Sequence, residues 1–326
     1  MKNDNYRLCL VDPYENGSGF TVNVPLSPLS YKGAVNDHVL ICGSSGSGKS
    51  FFANHLFPSP DGLLLFKPDP QFSTVPLVSH YGLPDLSFFT SGDIADAYLY
   101  SLRLDMTGIM AASLVPLLMN GLNVSHRDLK LLMQFLFNYS SNNTMSGVAS
   151  LLSSHFDLLS SLFVSNPDVP YMDKLQLSFA GLGTFKSEFA ADLLLRSYYS
   201  RIGNDLGSLM IDEFHHVSRP GSIVDVLLRE MRLSGRLIAI TQNLTDLSPA
   251  MINNFGTILI GRTINENDLR FLSLFVNRKS INSQLVSMVS SIPPHVFLNL
   301  NEYLSDRLGS YYYAWVPVDP EDDLND

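Results

Sequence analysis

Cysteine is nearly missing from this chain: two residues among 326, Cys9 and Cys42. Cys42 closes an apolar run of the kind that becomes a buried strand. A disulfide framework is therefore not expected as the basis of the fold, and a reducing compartment such as the cytoplasm is expected. Basic residues are also scarce, with 21 Lys and Arg against 31 Asp and Glu, a formal net charge of −10. A protein that coats nucleic acid along its whole surface carries the opposite sign. Any nucleic-acid contact would therefore have to be local, for instance on loops that meet only in an oligomer. His215 and His216 have no Cys or His partners at ligand spacing, which argues against zinc. The N-terminal MKNDNYRLCLVDPYENG has no apolar run of the signal-peptide kind. The most membrane-like stretch, 107–124, is broken by Ser113, Pro116, Asn120 and Asn123 and is barely long enough to span. It is expected to be a buried helix or helical hairpin, so the chain is not expected to span a membrane. Apolar residues, by contrast, are plentiful at 45%, with 16% charged, enough for a sizeable core.

The stretch around which the chain is organised is 38–56, HVLICGSSGSGKSFFANHL. His38–Cys42 predicts a buried strand, Gly43–Ser50 fits G-x-x-x-x-G-K-[ST], and Phe51 onward predicts a helix. Strand, glycine loop and helix is the setting of a phosphate-binding loop. Gly43, Gly46 and Gly48 let the backbone turn sharply, so that N–H groups of the loop, including those of Ser44, Ser45, Ser47 and Phe51, come close to a polyphosphate. The helix N-terminus adds positive potential there. Lys49 is expected on the β- and γ-phosphates and Ser50 on Mg²⁺. A chance match to this pattern in a chain of this length is on the order of 1 in 100.

Ahead of that stretch, 1–37 reads as a short β-rich lead, with RLCLV and FTVNVPL parted by a turn cluster. After it, Gly62–Phe66 predicts a second buried strand, broken by KPDPQF. Asp69, just past the strand end, stands either where α/β proteins place ligands or as an ordinary turn residue. Residues 93–170 carry apolar side chains at three- and four-residue spacing in four blocks, predicting about four amphipathic helices. Ser50 and Asp212 are 162 positions apart. Two βα units need about 60–70 residues, which leaves a helical insertion between the second strand and the Asp212 strand. Strands are expected at Lys174–Leu182, Ser208–Ile211, Arg236–Thr241 and Thr257–Ile260, and helices at Ser187–Arg201, Val224–Leu233, Leu247–Asn254 and Glu266–Phe275. A closing β-hairpin and an acidic tail at 319–326 follow. The class is α/β, with 38–92 and 171–318 as the core and 93–170 as the insertion.

LMIDE supplies what the loop requires from another strand. Asp212 is expected to hold Mg²⁺ through water, and Glu213 to polarise the attacking water, which favours hydrolysis over a nucleotide switch. No N-K-x-D-like guanine reader occurs, so ATP is the expected nucleotide. Gln242 ends the next strand, where it either touches the γ-phosphate and lytic water or is a turn residue. Arg229 and Arg232 share a helix face, with Arg236 close by. They are either a solvated basic edge or a source of an arginine finger acting on a neighbour's ATP.

Five stretches together resemble the FtsK–HerA superfamily of ring-forming, DNA-pumping ATPases: HVLICGSSGSGKS, LLLFKPDPQF, SLMIDEFHH, LLREMRLSGRLIAITQNLTDLSPAMINNFGTILIGR and ENDLRFL. The fourth is the most specific, with its arginine helix, a strand ending in Thr-Gln, a short helix and a strand ending in Arg. The resemblance covers roughly 38–75 and 174–300. It implies a RecA-like core with a mainly parallel sheet, ATP hydrolysis, a hexameric ring, Gln242 as γ-phosphate sensor, Arg232 as finger in trans and Arg262 as a further interface arginine. KPDPQF lacks the glutamate of that family's DPHGEY-like stretch. No N-terminal barrel, membrane anchor or winged helix is recognisable, and a compact form of this kind resembles the genome-packaging ATPases of tailless icosahedral viruses with an internal membrane. That implies DNA and capsid or membrane-complex proteins as partners. A conjugation- or secretion-type ATPase shares every motif, and a non-motor ATP-dependent assembly adaptor is the alternative from another class.

Overall fold

Short apolar runs with side chains buried on both faces build the sheet that carries the glycine loop. The structure, a computed structural model, describes residues 6–11, 37–72, 74–103, 108–142, 146–164, 175–202, 207–219, 222–231, 235–263, 265–275, 289–299 and 312–317. In chain order the elements are β1 (Tyr6–Val11), β2 (Val39–Cys42), α1 (Lys49–Leu56), β3 (Gly62–Leu65), α2 (Val78–Tyr81), α3 (Ser91–Ser101), α4 (Ile109–Val124), α5 (Leu129–Asn142), α6 (Ser146–Ser160), β4 (Gln176–Ser178), α7 (Thr184–Ile202), β5 (Gly207–Ile211), α8 (Ile223–Glu230), β6 (Gly235–Thr241), α9 (Pro249–Ile252), β7 (Thr257–Ile260), α10 (Glu266–Phe275), β8 (Phe297–Asn299) and β9 (Tyr312–Pro317). They fall into two compact units. The first comprises Met1–Asp61, Leu206–Ser218 and Leu227–Asp326, the second Gly62–Asp205 and Arg219–Val226.

In the first unit seven strands run in the order β1-β9-β8-β7-β2-β6-β5. β7, β2, β6 and β5 are parallel, and β8, β9 and β1 add antiparallel ladders beyond β7. Parallel strands are covered on both faces, so their sequences are apolar throughout instead of alternating; VLIC, TILI and most of GRLIAIT are buried accordingly. Buried His38 ties three elements together: its Nδ1 accepts from the Leu237 N–H at 3.0 Å, and its Nε2 donates to the Leu228 carbonyl at 3.1 Å. On α1, Phe52 stacks on Phe297 with ring centroids 4.2 Å apart. Cys42 lies opposite Thr241 on one side and Ile260 on the other, and Ile211 lies opposite Ala239. The chain leaves all four parallel strands at one edge of the sheet, where α/β proteins bind ligands. The FTVNVPL run, Arg232 and the acidic tail lie outside the described residues.

In the second unit β3 pairs with β4 in parallel. The four helices anticipated within 93–170 are α3 to α6, the first of them starting two residues earlier. α6 shows why the periodicity was legible: Ala149, Leu152, Phe156 and Leu159 are buried at helical spacing. β4 is shorter than the strand anticipated at Lys174–Leu182. It stops at Ser178 because the chain turns through Gly181, whose φ is +85°. Asp69 acts as a turn residue: its Oδ1 accepts the Gln71 N–H at 2.8 Å at the 3₁₀ turn Pro70–Phe72. Carboxylates of α7 hold the 219–226 segment. Arg219 pairs with Glu188 and lies over the Tyr100 ring, 4.8 Å from its centroid, and the Ile223 N–H donates to Asp192 Oδ1 at 3.2 Å. Among the described residues no helix is long and apolar enough to cross a membrane.

Candidate functional site

Every element that shapes the site belongs to the first unit. β2 ends at Cys42 and the chain enters the glycine loop. Gly46 and Gly48 have φ of +78° and +89°, a region L side chains avoid, so this loop shape needs glycine at both positions. Around Gly46 a Cβ would meet nothing within 4 Å, so the crown of the loop stands open. The loop is braced from the β7 side. The Arg262 carbonyl accepts from the Ser44 N–H at 2.8 Å and from Ser44 Oγ at 2.9 Å, and the Gly261 N–H donates to the Cys42 carbonyl at 2.7 Å. Lys49 Nζ donates to the Ser44 carbonyl at 3.0 Å, so the ammonium is folded back over the loop. Ser47 Oγ is buried with no hydrogen-bond partner. An open crown, backbone donors, an inward ammonium and an unsatisfied hydroxyl suit a polyphosphate and fit an apolar ligand poorly.

The acid side of the site forms where β5 and β6 end. Asp212 and Glu213 are nearly buried, 8% and 6% exposed. Glu213 takes a left-handed backbone conformation, φ 52° and ψ 49°, which costs a non-glycine residue energy and re-aims its side chain. Gln242 Nε2 donates to Glu213 Oε1 at 2.6 Å, and His215 Nδ1 lies 3.4 Å from Glu213 Oε2. Gln242 is thus a hydrogen-bond partner of the acid. The Ser50 hydroxyl and the Asp212 carboxylate are the donors that would hold Mg²⁺. Among the described residues no three His, Cys, Asp or Glu side chains gather to hold a metal by themselves, and a nucleotide-bound Mg²⁺ needs few protein ligands because phosphate oxygens and water supply the rest. Burial pushes the Cys42 thiol well above its ordinary range, so it packs as a small apolar group beneath the loop.

The structure is informative on three of the four arginines. Arg229 is exposed on α8. Arg236 stands at the start of β6, the end away from the glycine loop, with Nη2 3.7 Å from Asp37 Oδ2 and its guanidinium over the Phe57 ring. Arg262 is exposed, and its backbone carbonyl is what the loop uses.

With this geometry in view, comparison with known proteins concerns the fold. Neither a protein-family model nor a curated protein matches the chain. The unbound monoclinic form of the bacterial conjugative coupling protein TrwBdeltaN70 matches with a TM-score of 0.60 at 13% identity, over 96% of this chain and 93% of that one. The fold shared with that coupling protein is a RecA-like α/β fold with a mostly parallel sheet. The trigonal form of the same coupling protein, in complex with sulphate, gives 0.56 at 13% identity, over 90% of each chain. The genome packaging NTPase B204 of Sulfolobus turreted icosahedral virus 2, in complex with ATP-gammaS, gives 0.40 at 15% identity, over 82% of this chain and 93% of that one. At 13% identity, the RecA-like architecture is what the chain shares with the coupling protein.

Sequence reasoning missed one neighbour of the site. His295 donates its backbone N–H to the Ser47 carbonyl at 3.0 Å, and its ring fills the space beside Gly48, where a Cβ would collide with Nδ1. The signal available was the pair Pro293–Pro294 just before β8, which predicts a rigid turn but not which loop the turn meets.

Proposed function

We propose that this chain is an ATP-hydrolysing DNA translocase motor, in its most specific form a packager of viral genome DNA. The observation that carries the reading is the Gln242–Glu213 hydrogen bond of 2.6 Å, set on β6 and β5 next to the strand that bears the glycine loop. A buried glutamate held by an amide at that edge is what in-line attack of water on a γ-phosphate requires. In this reading the loop backbone from Gly43 to Phe51 and Lys49 bind the triphosphate, Ser50 and Asp212 hold Mg²⁺, Glu213 orients and deprotonates water, and Gln242 reports loss of the γ-phosphate. Mg²⁺ neutralises charge on the phosphates when bound. Arg232 supplies the guanidinium to a neighbour's site in a ring, expected to be a hexamer. The DNA part of the reading rests on the motif set of residues 227–262 and on the fold. Contacts to the backbone of duplex DNA, made by local loops, are consistent with a chain of net charge −10.

The test is steady-state ATP hydrolysis with and without linear duplex DNA at low and moderate salt. Stimulation that fades with salt and is absent in Lys49→Ala and Glu213→Gln is expected. Hydrolysis that depends on both residues but ignores DNA would move the assignment to a secretion-type ATPase or an assembly adaptor.

A further inference from the structure

We infer that His295 and Phe51 form the nucleoside side of this site, with the base of the bound nucleotide lying against their rings. This rests on the reading of the glycine loop as an ATP site and adds to it the place of the base and a residue that no motif contains.

The argument begins with strand order. β2 has β6 and then β5 on one side, and β7 and then β8 on the other. Glu213 and Gln242, the groups for the γ-phosphate, stand at the ends of β5 and β6. A triphosphate laid in the loop with its γ end there carries its α-phosphate, ribose and base toward the β7–β8 side. β8 runs antiparallel to β7, with Leu298 opposite Ile260, so the residues just before β8 return to the loop's edge of the sheet. His295 is three residues before Leu298.

What it does there is unusual. Its backbone is left-handed, φ 65°, a conformation that costs a side-chain-bearing residue energy. Its N–H is anchored on Ser47 and its ring lies on Gly48, yet the residue remains exposed. The ring meets Phe51 edge-on with centroids 5.5 Å apart. Phe51 follows Ser50 directly, on the first turn of α1 over which the α-phosphate end of a loop-bound nucleotide leaves. A strained, accessible imidazole next to a half-exposed phenyl ring, at the end of the loop away from the catalytic acid, is a surface for a flat aromatic ligand. The His295 N–H anchors the loop, and the ring adds an exposed aromatic surface beside Phe51.

The experiment is calorimetric titration of ADP and of inorganic tripolyphosphate into the full chain with Mg²⁺, in the parent, His295→Asn, Phe51→Leu and Lys49→Ala. Asn tolerates left-handed backbone and keeps the N–H, and Leu keeps the apolar bulk on α1. Both ring variants should weaken ADP binding about 10-fold, the size of one lost base–ring stack, and leave tripolyphosphate within about 2-fold of the parent. Equal weakening of both ligands would show that His295 only shapes the phosphate loop, and no weakening of ADP would show that the base lies elsewhere. Either outcome overturns the inference. Lys49→Ala separates the levels: if it leaves binding of both ligands intact, the nucleotide reading itself fails and takes the inference with it.

Discussion

The two units each bury a carboxylate, and they treat it differently. In the second, Glu188, 1% exposed, sits between Arg219 and Arg103, and Asp192, fully buried, receives Arg196 Nε at 2.6 Å. There guanidinium charge meets acid; the Glu188 pairs tie α7 to Arg219 and Arg103, and the Asp192 pair lies within the helix. In the first unit Glu213 is held by the Gln242 amide and faced by the His215 imidazole, on a left-handed backbone. An arginine-clamped carboxylate is costly to remove and has its oxygens committed to its partners. An amide-held one keeps its orientation and can still take up a proton. Burial alone does not identify a catalytic acid; the partner it is given does.

That contrast is broken most sharply at Glu213. Glu213→Gln is expected to lower kcat by about 10³-fold, within the range for general-base loss, while ADP affinity changes by less than about 2-fold and thermal stability is kept. A parallel loss of nucleotide affinity in calorimetry would mean that the residue shapes the pocket instead. The counterpart is Glu188→Ala, which leaves half-buried Arg219 over Tyr100 without its buried acid. A cost of about 3 kcal/mol in unfolding free energy is expected, as for other broken buried pairs, measurable by urea denaturation. A Glu188 variant as stable as the parent would remove the distinction between clamp and catalyst. Smaller again is Gln242→Ala: about 10-fold in kcat, the worth of one charge-assisted hydrogen bond that orients the acid, with recovery of most of the rate in Gln242→Asn only if reach is not critical.

Much of this was legible from the sequence, for reasons tied to particular residues. VLIC, LMI and LIAIT are short apolar runs ended by glycine, acid or amide, so both strand and site follow from local pattern. The helices α5 and α6 were legible because their buried residues recur at helical spacing. What was not legible is carried by backbone or by distant contact. The role of Arg262 here belongs to its carbonyl, and no side-chain pattern marks that. The left-handed φ of Glu213 has no signature in Asp-Glu. His295 meets Gly48 across more than 240 residues of chain, through a proline turn whose destination is set by β8 pairing with β7. Asp69 and Gln242 had two open readings each, and no local pattern shows the hydrogen bonds that Asp69 makes to the Gln71 N–H and Gln242 to Glu213.

The finest test of the comparison is a titration. Asp192 has Arg196 beside it, which favours the ionised form, yet burial outweighs that pull and moves the carboxyl upward from its ordinary value of 3.8. Asp96, also paired with Arg196, is displaced the same way by burial. With the folded value raised, the native chain holds a proton over a window where the unfolded chain has released it. The stability contributed by Asp192 is therefore full below about 3.8 and declines as pH rises through the folded value. In urea unfolding between pH 4 and 7, the stability of the parent relative to Asp192→Asn should fall with pH across that window, at a slope no steeper than about 1.4 kcal/mol per pH unit for one proton, and then level off. The Asn variant keeps an acceptor for the Ile223 N–H, which limits the comparison to charge. A rising difference would mean that the guanidinium dominates over burial at Asp192, and the second unit would then stand still further from the amide-held acid of the first.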